Sequence, residues 1–280
     1  EYKTKFNLEE TYTNTIIVAN QTNQFNSNLI SKNKFINQNL IFTKKISDRK
    51  VFQINVNQGF NNIPQILTLK SISETNEQNS NFKKNYVDGI INLLGSTKNF
   101  KYSFSVGANY EKTPFISFNN YDDNLSSSII DKNETTYVKK SLTQLGSLNY
   151  IINQWTVSPS YSIKFLKQSL QDYIINQSEN KNDIIFEPSI LLKYKINDIS
   201  FITSSLSNSQ NPIVNEYIFR NYVITNNRLK VTNNPNLDLQ NTTFFSLNYK
   251  NNNVYRQFQL EVGFNYQKNK GNYYLDYTIN

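Results

Sequence analysis

The sequence predicts an all-β protein, an antiparallel up-and-down transmembrane β-barrel present in part, with about eleven strands of a larger barrel of about 22. Three observations lead there. Long segments alternate apolar and polar residues with a period of two, short and long connections succeed one another, and a hydrophilic average coexists with many aromatic residues. Of 280 residues, 14% are Phe, Tyr or Trp, while the mean hydropathy is −0.59. So many aromatic side chains do not fit a disordered chain, and no apolar run approaches the roughly 18 residues of a membrane helix. A barrel reconciles these facts because its backbone is satisfied by closure and only its outer face must be apolar.

In chain order, strands are predicted over 6–20, 34–45, 50–58, 84–96, 99–112, 135–152, 154–170, 184–196, 199–208, 238–250 and 254–267. The clearest alternation runs through Phe100, Tyr102, Phe104, Val106, Ala108 and Tyr110, interleaved with Lys101, Ser103, Ser105, Gly107 and Asn109. It recurs in Trp155, Val157, Pro159, Tyr161, Ile163 and Phe165, and in Phe258, Leu260, Val262, Phe264 and Tyr266. Phe52, Ile54, Val56 and Phe245, Leu247, Tyr249 are shorter instances, and Phe186–Ile196 is a noisier one. Every second side chain of a strand shares a face, and several of these segments have the roughly nine to eleven residues that a tilted strand needs to cross a bilayer. Tyr110, Tyr150, Trp155, Tyr249 and Tyr266 fall near strand ends, where interfacial aromatic belts lie.

Tight turns are predicted at Ser47-Asp48, Thr97-Lys98-Asn99, Asn153-Gln154, Asn197-Asp198 and Asn251-Asn252-Asn253, all of turn-forming composition. Between them lie polar stretches 21–33, 59–83, 113–134, 171–183 and 209–237, read as long loops. In a meander this order gathers the tight turns at one end and the long loops at the other, the asymmetry of outer-membrane barrels. An odd strand number leaves the chain ends on opposite sides, and no terminal aromatic closes the sequence. Residues 1–280 are therefore expected to be a partial outer-membrane barrel domain, without plug domain or C-terminal strands.

Composition excludes several chemistries. With no Cys and no His there is no thiolate or imidazole metal site and no Cys or His catalytic relay. Acidic residues fall mainly in loops and turns, with no pair placed as a glycosidase acid and base, and no Gly-rich phosphate loop is present. No catalytic, cofactor-binding or metal-binding residue is assigned, and no enzyme activity is expected. Asp122, Asp123 and Asn124 lack the spaced ligands of a calcium loop and read as a solvated tip. Asn133, Asn176 and Asn241 are sequons without consequence in a bacterial outer-membrane protein. The net charge is +8 with pI about 9.3, but Lys44/Lys45, Lys83/Lys84 and Lys139/Lys140 form no stripe in the sequence, so nucleic acid is not an expected partner.

Residues 209–249 carry a motif. Pro212 follows a predicted strand, and Asn234, Pro235, Asn236 and Leu237 close the longest loop before Thr243, Phe245, Leu247 and Tyr249 alternate as the next strand. This resembles a late-barrel region of TonB-dependent receptors, particularly the outer-membrane β-barrel receptor families of Bacteroidetes. There a strand ends near Arg-Pro-Ser/Thr and the next opens with Gly-Asn-Pro-Asn-Leu-Lys-Pro-Glu. Asn211, Asn233, Asp238, Leu239 and Gln240 depart from that pattern. The resemblance covers about 40 residues and implies a structural turn at Pro212, Asn234, Pro235, Asn236 and Leu237. It further implies an importer in the outer membrane of a Gram-negative bacterium, surrounded by outer-membrane lipid. Such an importer is driven by the TonB energy-transducing complex through an N-terminal part absent here. It takes up a glycan, peptide, siderophore or other metal chelate, in some cases with a surface lipoprotein. Two other readings stay open on the residues alone: a barrel without energy coupling (passive channel, adhesin or secretion-related structure), and a soluble Asn-rich β protein.

Overall fold

The computed structural model describes residues 4–18, 21–70, 75–121, 124–125, 132–212, 219–226, 229–233, 236–253, 257–271 and 275–279, with side chains over 26–70, 75–120, 132–212, 219–224, 236–253 and 257–271. Eleven strands follow one another in strict chain order as antiparallel neighbours: β1 (Thr4–Val18), β2 (Gln21–Ser47), β3 (Lys50–Lys70), β4 (Thr75–Ser96), β5 (Phe100–Tyr121), β7 (Lys132–Ile152), β8 (Trp155–Asp172), β9 (Gln177–Lys195), β10 (Ser200–Asn211), β13 (Gln240–Asn253) and β14 (Phe258–Lys270). The short β6 (Asn124–Leu125) pairs with β5, while β11 (Val223–Asn226), β12 (Leu229–Asn233) and β15 (Leu275–Ile279) form a second, small sheet. The large sheet is an open path with β1 and β14 at its two ends.

Proline punctuates this ladder as its missing N–H requires. Pairing skips a step on the β2 side of Pro64, on the β4 side of Pro114 and on the β7 side of Pro159. Pairing of β9 with β10 begins only at Ser189, one residue beyond Pro188. Past that point the two strands part, and the Gln210 backbone N–H donates instead to the Glu187 carboxylate at 2.8 Å.

Register decides which side chains share a face. Val106 stands opposite Ile91 and Gln144, and Phe104 opposite Leu93 and Gly146. Continued across the sheet, one face presents Phe42, Ile54, Val87, Val106, Leu142, Phe165, Phe186, Leu206, Leu247 and Phe264. The other presents Asn57, Asp88, Ser105, Glu111, Ser141, Lys164, Glu187, Ser205 and Asn265. The apolar face is the exposed one: Val106 is 40% and Phe165 52% accessible, whereas Ser105 and Glu111 on the polar face are 6% and 4%. A water-soluble sheet does the reverse. On β5 the apolar series spans Phe100–Tyr110, about 34 Å along the strand at 3.4 Å per residue. At the tilt of a transmembrane strand it is about 25 Å tall, the height of an outer-membrane apolar band.

The strands outrun their predicted ends. Within the stretches 59–83 and 113–134, residues 59–70, 75–83, 113–121 and 132–134 continue the ladders of β3, β4, β5 and β7 well past the apolar band, and 21–33 belongs to β2. Stretch 171–183 contains only a four-residue connection, where the Asp172 carboxylate accepts from the backbone N–H of Ile174 and Ile175. The reason is physical: these hairpins have polar residues on both faces, so alternation disappears while backbone pairing persists. The turn expected at Asn251–Asn253 is displaced, because β13 continues to Asn253 and pairs with Phe258. The remaining tight turns lie where expected, at 48–49, 97–99, 153–154 and 196–199, with Asn153 at φ 52°.

Candidate functional site

The polar face becomes a site where the chain between β10 and β13 folds back onto it. Phe219–Ile224 and Asn236–Asp238 lie against β4, β5, β7, β8 and β9, far along the chain from each of their partners. Three buried carboxamides hold this segment by its backbone. Gln78 pairs with Ile224 in both directions, accepting from its N–H at 2.6 Å and donating to its carbonyl at 3.0 Å. Asn133 accepts from the Asn221 N–H at 2.9 Å and donates to the Asn221 carbonyl at 3.3 Å. Gln168 donates to the Leu237 carbonyl at 2.9 Å while its own oxygen accepts from the Tyr137 hydroxyl at 2.6 Å. A side-chain amide offers the same donor and acceptor as a peptide group, so each stands in for one rung of a β ladder. Ion pairs add to the anchoring: Arg220 Nε to Asp172 at 3.7 Å and Lys181 Nζ to Asp238 at 2.5 Å.

Between the inward segment and the wall lies a cleft of about 300 Å³, lined by Leu29, Leu67, Phe82, Phe115, Phe219 and Ile224 with Gln65, Gln78 and Ser80. The Phe115 and Phe219 rings stand 5.9 Å apart. Below it, toward the tight turns, the face is charged and polar. The Glu111 carboxylate is flanked by Lys84 at 3.2 Å and Lys139 at 3.0 Å, and Lys164 lies 3.6 Å from Glu187. The Oδ1 atoms of Asn55, Asn57 and Asn109 have no protein hydrogen-bond partner. In a dry core each would cost about 1–3 kcal/mol, which suits a face turned toward water or another polar surface rather than a packed interior.

The motif residues sit at the two ends of this segment. Pro212 follows the last residue of β10, where its missing N–H costs no ladder bond. Asn236 accepts through Oδ1 from the Asp238 N–H at 3.3 Å, and the Leu237 side chain is wholly buried. Asn234 and Pro235 lie outside the described residues, as do Asp122 and Asp123. Among the described residues no cluster of three or more acidic groups could hold a metal ion. Neither Gln78 nor Gln168 stands out in the sequence, and Asn133 does so only as a sequon. Two fall in stretches read as loops, and nothing in the pattern sets these amides apart from the many other Asn and Gln residues.

These features define a class: the wall of a transmembrane β-barrel with apolar residues outward, polar residues inward and one connection folded against the inner face. Solved structures share that fold. The chain superposes on the ferric yersiniabactin uptake receptor FyuA from Yersinia pestis with a TM-score of 0.61 and 9% identity, covering 96% of this chain and 50% of that one. It superposes on the ferric citrate transporter FecA, in its unliganded form, with a TM-score of 0.54 and 10% identity, covering 100% of this chain and 52% of that one. The chain thus spans about half the length of these structures. No protein-family model matches the sequence, and no curated protein is similar to it at the sequence level.

Proposed function

We propose that this chain is part of the barrel of a TonB-dependent receptor in the outer membrane of a Gram-negative bacterium, and that the whole protein imports a bulky or scarce nutrient. The observation that carries the reading is the inverted pair of faces, with an apolar band of bilayer height outside and a polar, charged face inside against which Phe219–Ile224 and Asn236–Asp238 are folded. The fold shared with two metal-chelate receptors and the resemblance of 209–249 to Bacteroidetes-type receptors support it. In this reading the long hairpins and the inward segment face the outside, and the tight turns face the periplasm. Residues 1–280 are then one part of the barrel domain, a plug domain elsewhere in the protein couples to the TonB complex, and a surface lipoprotein is a further partner. The substrate is a glycan, a peptide, a siderophore or another metal chelate.

The test is uptake by cells carrying the full-length gene, with and without the TonB complex. Growth on a limiting glycan, peptide or iron chelate that requires both the receptor and TonB supports the reading. Equal uptake without TonB turns the assignment to a passive barrel. Recovery of the full-length protein in the aqueous fraction without detergent defeats both.

A further inference from the structure

The structure assigns lysines that are dispersed in the sequence to one row on the lipid-facing surface, and we propose that this row binds the phosphate groups of lipid in the loop-side leaflet. The proposal rests on the membrane reading above and adds a binding site to it. Lys34 on β2 pairs through Asn62 on β3 with Lys83 on β4, on the apolar face. Lys112 on β5 lies one outward position from Pro114, the residue level with Lys83, and Val138 opposite Lys112 is one outward position from Lys140 on β7. Lys140 stands directly opposite Lys167 on β8. Across six adjacent strands spaced about 4.8 Å apart, five of which contribute a lysine, there runs a cationic line about 24 Å wide. It borders the apolar band. The next outward residue toward the tight turns is Ile36, Phe60, Tyr110, Leu142 or Phe165 on five of these strands, and on β4 it is Asn85, followed by Val87.

The lysines of the opposite face give the contrast. Lys83-Lys84 and Lys139-Lys140 are doublets split across the sheet. Lys84 and Lys139 point inward and share Glu111, while Lys164 and Lys181 are paired with Glu187 and Asp238. Among the described residues Lys34, Lys83, Lys112, Lys140 and Lys167 have no carboxylate partner, and only Lys140 makes another contact of note, 5.5 Å from the Tyr110 ring centroid. Glu77 and Glu134, the outward carboxylates of β4 and β7, stand six residues farther toward the loops than Lys83 and Lys140. Like charges directly opposite one another destabilise a strand pair, and Lys140 opposite Lys167 accepts that repulsion. At the rim of an apolar band the complementary charge is that of lipid phosphates, which attract interfacial lysines.

The test uses the full-length protein reconstituted into phosphatidylcholine vesicles containing bis-phosphorylated lipid A, dephosphorylated lipid A, or neither, and reads thermal unfolding by heat-modifiable gel migration together with bound lipid by native mass spectrometry. The expected result is a higher unfolding midpoint and retained lipid with the phosphorylated form only. Joint K34Q, K83Q, K112Q, K140Q and K167Q substitution should weaken lipid retention at least about tenfold, whereas K44Q with K50Q near the tight turns should not. Should the fivefold variant fail to insert, K140Q with K167Q alone should still lower retention. Equal stabilisation by the dephosphorylated lipid, or undiminished retention in the row variants, overturns the proposal and leaves five lysines that merely reach for water. A protein that does not enter vesicles at all refutes the membrane reading instead.

Discussion

Three tyrosines each lie across a glycine directly opposite on the neighbouring strand: Tyr86 on Gly59, Tyr102 on Gly95 and Tyr161 on Gly146. None of these glycines has a positive φ, so what they supply is room. A Cβ at any of them would collide with the ring. The ring covers backbone that glycine would otherwise leave bare; Tyr102 and Tyr161 do so on the apolar face, whereas Tyr86 does so on the inner face and reaches a strand farther to donate to Asn37 at 3.1 Å. Tyr161 instead accepts from Gln144 at 3.1 Å. Gly146→Val should displace the Tyr161 ring and cost about 1–3 kcal/mol, while Tyr161→Phe, which keeps the ring, should cost about 1 kcal/mol. Denaturant midpoints of the detergent-folded protein measure both, and equal losses would show that the hydroxyl rather than the covering ring matters. At the tight turn after β9, the hydrogen bond from Lys195 and then its charge hold the Asp198 carboxyl below the ordinary carboxylate range. A depressed pKa means that the turn is favoured above the unfolded carboxylate value, and that this preference is lost as pH falls through the folded one. NMR titration should place Asp198 below a reference aspartate, and Lys195→Gln should return it upward.

At the scale of elements, the alternating cores of the strands were legible in the sequence and their extensions were not. Phe100–Tyr110 announces itself because one face meets an apolar medium and the other does not. Asn76–Asn81 and Ser117–Tyr121 meet no such contrast, and their ladders are visible only once the strands are paired. Register is the missing quantity in each case. It brings Gln78, Asn133 and Gln168 under one returning segment and turns dispersed lysines into a line. The returning segment offers a direct measurement. Trypsin can cut after Arg220, Arg228 and Lys230, yet the neighbouring backbone is held by the three carboxamides. Replacing all three by alanine removes hydrogen bonds of about 1 kcal/mol each. The segment should then open about a hundredfold more often, with cleavage rising in proportion while closing outpaces cutting. An unchanged cleavage rate in a variant that keeps its heat-modifiable band would mean that the apolar contacts of Phe219, Ile224 and Leu237 suffice.

For the whole molecule, the two faces of the sheet make opposite demands, and a single pair of substitutions can compare them. Val106 is near the middle of the apolar series on β5, and Thr143 on β7 lies opposite Gly107, one residue along and on the other face. Arginine at Val106 would carry a charge into hydrocarbon near the bilayer midplane, which costs about 2–4 kcal/mol in a barrel of this kind. Arginine at Thr143 would project into the hydrated interior beside other charged side chains and should cost far less. The ranking reverses if the protein works in water. Val106 is 40% accessible, so a soluble sheet would tolerate Arg there with little loss, whereas Thr143 is half-buried and would be the harder site. Folding yield into vesicles and unfolding midpoints for the two variants therefore report on the solvent outside the sheet without reference to substrate, plug or TonB. A larger loss at Thr143 than at Val106 would remove the bilayer from the account and the receptor assignment with it.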